Sequence, residues 1–171
     1  MKSLHSIAVK FGLIGSAVHI GIFLVHYFSG GNPFVDMYMM DIFILPVFLY
    51  FGVREFRDYH NARQLEFWQG MTLGLVLYVL LALLTAGFGF VFIEALDTDL
   101  VASYQQERIN NLLENKESII SRMGTDKFNE AIFHAKKVTS KSIALDNLLK
   151  RIGMGFLLTS VISIVMKRKK S

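Results

Sequence analysis

Two histidines, His19 and His26, lie seven residues apart in the apolar run GSAVHIGIFLVHYF. Seven residues is about two helical turns, so both rings would share one face, roughly 10.5 Å apart along the axis. One helix at that spacing cannot place them on opposite sides of a haem iron. Only a second copy of the chain, giving one histidine from each, could do so. A zinc site takes three or four ligands, and the apolar segments offer only His19, His26 and Asp41. His5, His60 and His134 lie outside the apolar segments. There is no cysteine, which removes thiolate ligands, cysteine nucleophiles and disulfides. No phosphate-cradling glycine loop, nucleophile elbow or His-Glu-x-x-His is present. No cofactor, metal or catalytic residue is therefore expected. Two arrangements remain for His26 and Asp41. They form a hydrogen bond or ion pair between neighbouring antiparallel helices, or each reaches interfacial water separately. His19 is a candidate polar residue inside the membrane.

The elements that would carry these residues are long and apolar. The chain of 171 residues is 53% hydrophobic and 19% charged, below the quarter or so of charged residues in soluble domains. Four apolar segments stand out, at about 7–28, 37–53, 70–93 and 148–166. A membrane-crossing helix needs about 20 predominantly apolar residues. The first and third satisfy this readily. The second is short and contains Asp41 and Pro46. The fourth carries Lys150 and Arg151 near its start, where both are expected to snorkel to the interface. The apolar stretch near the N-terminus is longer than a signal-peptide core, and no Ala-x-Ala follows it, so a retained helix is expected.

Charge fixes the count. Lys2 and Lys10, then Arg54, Arg57 and Arg63, then the run KRKK fall on one side only if all four segments cross. The loop SGGNPFVD, which has no basic residue, then falls on the other. This is the positive-inside pattern, with both termini cytoplasmic. Without the second crossing the final lysines would face outward.

Between the third and fourth segments lies a polar insert, about 94–147. From Glu94 to Arg151 there are nine acidic and nine basic residues, a balance that argues against nucleic acid as a partner. Val101, Tyr104, Leu112, Ile119 and Met123 recur at helical spacing, which predicts one helix ending at Gly124. A second is expected over 126–137, and SKSIALDNLLKRIG is expected to run unbroken into the last segment. Small residues repeat every four positions, Gly70 and Gly74 in one helix, Gly155, Thr159 and Ser163 in another. Such stripes let helix backbones approach closely and point to packing within a bundle.

The run FRDYHNARQLEFWQGMTLGLVLYVLLALLTAGFGFVFIEALDTDL, followed by a polar insert and GMGFLLTSVISIVMKRKK, resembles domain-of-unknown-function family 4199, a bacterial membrane family. The features carrying the resemblance are Arg57 and Asp58, Asp97 and Asp99, and Gly153, Ser160 and Ser163. The resemblance implies small four-span membrane proteins and brings no catalytic residues.

The expectation is a single all-α membrane domain over residues 1–171. It is a four-helix bundle in the bacterial inner membrane with a helical extracytoplasmic insert. With no catalytic constellation, the leading role is a non-enzymatic accessory or scaffold protein, its insert meeting a protein partner or a second copy. The alternative is a small transporter or channel subunit with a polar site near His26 and Asp41. A haem or quinone redox role comes third.

Overall fold

The computed structural model describes residues 2–168, with side chains described throughout except at 2 and 36–41. The described chain is helical. Helices α1 (Lys2–Phe28), α2 (Pro33–Glu55), α3 (Phe67–Ala95) and α7 (Ser140–Met166) are long, and α4 (Asp99–Glu114), α5 (Lys116–Met123) and α6 (Thr125–Lys136) are short. Among the described residues three helices are long and apolar enough to cross a membrane: Ser3–Phe28, Phe67–Ala95 and Ser140–Met166.

Local chemistry sets the boundaries. The Asn32 side chain accepts the Phe34 backbone N–H, with Pro33 opening α2; proline's missing N–H costs nothing at that position. Glu66 and Gln69 form a reciprocal capping box at α3, as do Thr139 and Ser142 at α7. Asp97, rather than Thr98, accepts at the start of α4, from the Asp99 N–H at 3.0 Å. The expected single helix over the first half of the insert is broken at Asn115, whose ψ of 13° turns the axis between α4 and α5. The side chain of Asn115 donates back to the Asn111 carbonyl at 2.9 Å. Such a local bond competes with helical propagation. Helix α7 begins at Ser140, so the tail of the expected insert, 140–147, is its first two turns.

Helix α3 packs against both α7 and α1, and α2 packs against α1, α7 and α3. The α3–α7 seam uses the small-residue stripes. A Cβ on Gly70 would lie 2.6 Å from Ser163 Oγ, one on Gly74 would collide with Thr159, and one on Gly155 would collide with the Tyr78 ring. Each step of four along α3 matches a step of four back along α7.

Two apolar cores result. One joins Leu4, Leu45, Leu49, Leu73, Leu77 and Met166. The other joins Phe23, Phe92, Ile93, Leu100, Tyr104 and Ile143, with Phe23 edge-on to Phe34, Phe88 and Phe92 at 5.1–5.4 Å. Along α1 and α3 the two cores are separated by residues 16–19 and 82–86. The first core closes at the end bearing Arg54, Arg57, Arg63, Lys167 and Arg168. There Lys10 pairs with Glu55 at 2.5 Å, and an antiparallel bridge joins Leu65 to Arg168. The second core closes under α4–α6.

Candidate functional site

The layer between the two cores is polar. His19, Thr85 and Arg151 are all buried, at 2%, 5% and 8% exposure. The Arg151 guanidinium donates from Nη1 to Thr85 Oγ1 at 2.7 Å and lies 2.7 Å from His19 Nε2 through Nη2. A guanidinium carries donors only. His19 Nε2 is therefore the acceptor, which places the ring proton on Nδ1. The Thr85 hydroxyl in turn donates to the Leu81 carbonyl at 2.8 Å, and Ser16 closes the layer by donating to the Gly12 carbonyl at 2.7 Å.

The depth of this cluster follows from helix lengths. Helices α1, α3 and α7 have 27, 29 and 27 residues, or about 40 Å each at 1.5 Å per residue. The three side chains branch about 3–6 Å from their helix midpoints. A guanidinium at that depth is costly, about 3 kcal/mol on insertion scales. Its neighbours here supply polar contacts in place of water.

Arg151 does not snorkel as the sequence suggested. It continues the stripe of Gly155, Thr159 and Ser163 by one step of four, and that stripe faces α3. Ala82, fully buried, leaves room across the seam. Lys150, one residue earlier, points outward and pairs with Asp146 at 2.6 Å. The hundred-degree step between consecutive residues sends one cation into the bundle and the other to its rim. The spacing Arg151–Gly155–Thr159–Ser163 puts Arg151 on the small-residue face of α7 in the sequence, but which surface that face meets is decided only by the fold.

A small cavity, about 20 Å³, adjoins the cluster and is bounded by His19, Phe23, Pro33, Phe34, Asn147 and Arg151 among others. That is room for about one water molecule. Above it opens a cleft of about 670 Å³ between α4, α5, α6 and the near ends of α2 and α7. Phe34 and Asn147 line both spaces. Asn147 is held by a bond from its side-chain N–H to the Ile143 carbonyl at 2.9 Å.

The walls of the cleft are tied to the bundle. Tyr27 donates to Asp97 at 2.8 Å, Tyr104 to Asp146 at 3.4 Å, and Gln105 to the Val138 carbonyl at 2.7 Å. Ser140 bonds Glu94 across the base of the insert. Outside the bundle, Lys127 holds the Glu130 carboxyl below its ordinary pKa through a 2.7 Å hydrogen bond.

The sequence candidates separate. His19 joins the buried cluster. His26 is half-buried at the end of α1, its ring packed where a Cβ on Gly31 would fall. The side chain of Asp41 lies outside the described residues, and with it the expected His26–Asp41 pairing. Thr85 and Arg151 were not singled out from the sequence as members of a site. Among the described residues no group of three histidine, aspartate or glutamate side chains converges as a metal centre would require.

Residues 8–168 match the family model described as Protein of unknown function (DUF4199). No curated protein and no solved structure matches the chain.

Proposed function

Because the chain belongs to the DUF4199 family, which comes with no described activity, we propose a role from its own geometry. The protein is a four-crossing integral membrane protein that admits a small polar solute from the α4–α6 cleft towards His19, Thr85 and Arg151. This is the work of a small transporter or channel subunit. The observation that carries the reading is that the cleft and the cavity beside a buried arginine are both lined by Phe34 and Asn147, so that only these side chains need move to join them. Ionisable side chains at membrane depth usually line substrate or ion pathways. An accessory or scaffold role does not by itself account for a guanidinium placed there.

In this proposal α2 is the fourth crossing, its 23 residues covering about 34 Å. The end bearing Arg54, Arg57, Arg63 and Arg168 faces the cytoplasm and α4–α6 face outward, in the bacterial inner membrane.

The absence of cysteine makes the test direct. Ala144→Cys, which borders the inner cavity, should react with a charged, impermeant methanethiosulfonate applied from the α4–α6 side of proteoliposomes. Arg151→Met should slow the anionic reagent more than the cationic one. No reaction at position 144, with Asn115→Cys labelled on the same side, ends the route. Labelling of Asn61→Cys from that side would end the topology.

A second reading keeps the accessory role, with the insert as a docking element. It rests on Leu113, Met123 and Phe133, each more than half exposed on α4–α6. Removal of residues 99–139 that leaves every co-purifying protein in place would exclude it.

A further inference from the structure

At the opposite end of the bundle the chain makes an unusual turn. Helix α2 continues into a π-helical segment, Phe56–His60, and two consecutive non-glycine residues, Ala62 and Arg63, have φ of 49° and 60°. Left-handed backbone at two such residues costs free energy and needs surrounding contacts to hold it. Those contacts are present. The Arg63 N–H donates to the Arg57 carbonyl at 2.9 Å, and Leu65 and Arg168 exchange backbone bonds at 2.9 and 3.0 Å. The Asn61 side chain donates to the Gln64 carbonyl and to Gln69 Oε1 at 2.8 and 2.9 Å. The turn is thereby clamped to the starts of α3 and the end of α7.

The clamp gathers Arg57, Arg63 and Arg168 with Asp58 and Tyr59 around a polar hollow of about 300 Å³. Asp58 is already engaged. It accepts from Arg57 Nε at 2.7 Å and lies 3.6 Å from Arg54 Nε. Arg63 and Arg168 have no acidic partner among the described residues. Two exposed guanidinium groups therefore face one hollow whose carboxylate among the described residues, Asp58, is already engaged by Arg57 and Arg54. Tyr59 and Trp68, 82% and 57% exposed, flank the same level, as aromatic residues do at a membrane–water boundary.

We propose that Arg63 and Arg168, backed by Arg57, form a binding site for a phosphate group at this end of the bundle. Planar guanidinium forks match phosphate oxygens two at a time, which a lysine cannot do. The aromatic flank puts the hollow at headgroup level, so the phosphodiester of an anionic phospholipid is the favoured source. A free phosphate compound offers the same chemistry. The site is remote from the cleft and stands whether or not the cleft carries a solute.

The test uses the full-length protein in detergent, titrated with phosphatidylglycerol and followed by native mass spectrometry. Arg63→Asn combined with Arg168→Gln keeps a residue tolerant of positive φ at 63. Each lost arginine should weaken phosphatidylglycerol retention about fivefold, the effect of one cation at a membrane surface. Arg122→Ala, in the opposite cleft, should leave it unchanged. Arg168→Lys should lie between wild type and Arg168→Gln. Inorganic phosphate that fails to displace the lipid identifies the lipid as the source. Displacement of the lipid by inorganic phosphate, absent in the double variant, identifies a free phosphate compound instead. Retention equal to wild type in the double variant, or a loss no greater than in Arg122→Ala, overturns the site. If the double variant does not fold, Arg168→Gln alone decides, since its backbone pairing with Leu65 is kept; unchanged retention there is equally fatal.

Discussion

The two halves of the α3–α7 seam are built on one spacing and do opposite things with it. Towards the basic end, Gly70, Gly74 and Gly155 meet Ser163, Thr159 and Tyr78 at distances that leave no room for another carbon. Towards the insert, the next step of the same stripe is Arg151, which reaches across to Thr85 and His19. The first half maximises contact, which is what holds helices together where lipid is as apolar as the side chains. The second half holds apart enough space for a guanidinium and a water-sized cavity. A stripe of small residues thus sets the phase of α7, and that phase forces whatever stands at position 151 into the interior.

The tight half of the seam is the more sensitive to substitution. Gly155→Val should destabilise the protein by about 3 kcal/mol, the upper range for over-packing, because its side chain must displace the Tyr78 ring. The measurement is unfolding in mixed micelles, and a change too small to detect would mean that the seam yields. In the polar half, His19→Leu removes an acceptor from a buried guanidinium and should cost about 2 kcal/mol. Arg151→Met, which removes the charge together with its need for partners, should cost less than His19→Leu. Equal losses from the two would mean that the cluster is held by packing alone. The smallest effect belongs to the basic turn. The hydrogen bond from Arg57, with the charges of Arg57 and Arg54, holds the Asp58 carboxyl below its ordinary pKa. A depressed carboxylate contributes stability that is present above its unfolded pKa of about 3.9 and is lost as pH falls through the folded value. Protection of the Arg63 amide from hydrogen exchange should therefore decline below about pH 4 in the wild type, and Asp58→Asn should show no such decline.

The alternation of apolar runs and basic loops defines where the long helices lie, since hydropathy is a property of composition along the chain. The three helices that satisfy the length and hydropathy needed to cross a membrane coincide with expected segments to within a few residues, and α7 starts at Ser140, where SKSIALDNLLKRIG was expected to run unbroken into the last segment. The breaker Gly124 was legible in the same way, whereas the caps Asn32 and Thr139 emerge only in the structure. Asn115 was less legible, because an asparagine within a periodic stretch is tolerated in many helices and here turns the chain through a bond to its own backbone.

Sequence by itself determined that α1, α3 and α7 are apolar helices, that α3 and α7 carry stripes able to pack, and that the basic residues group at alternate turns. Only the tertiary structure decided that Arg151 points inward while Lys150 points out, and that His19 rather than His26 is its partner. Rotation of a helix about its own axis is not written in its hydropathy. It is settled when one face finds a complementary surface, and a buried arginine is stable only where two other helices happen to bring an acceptor to the same depth.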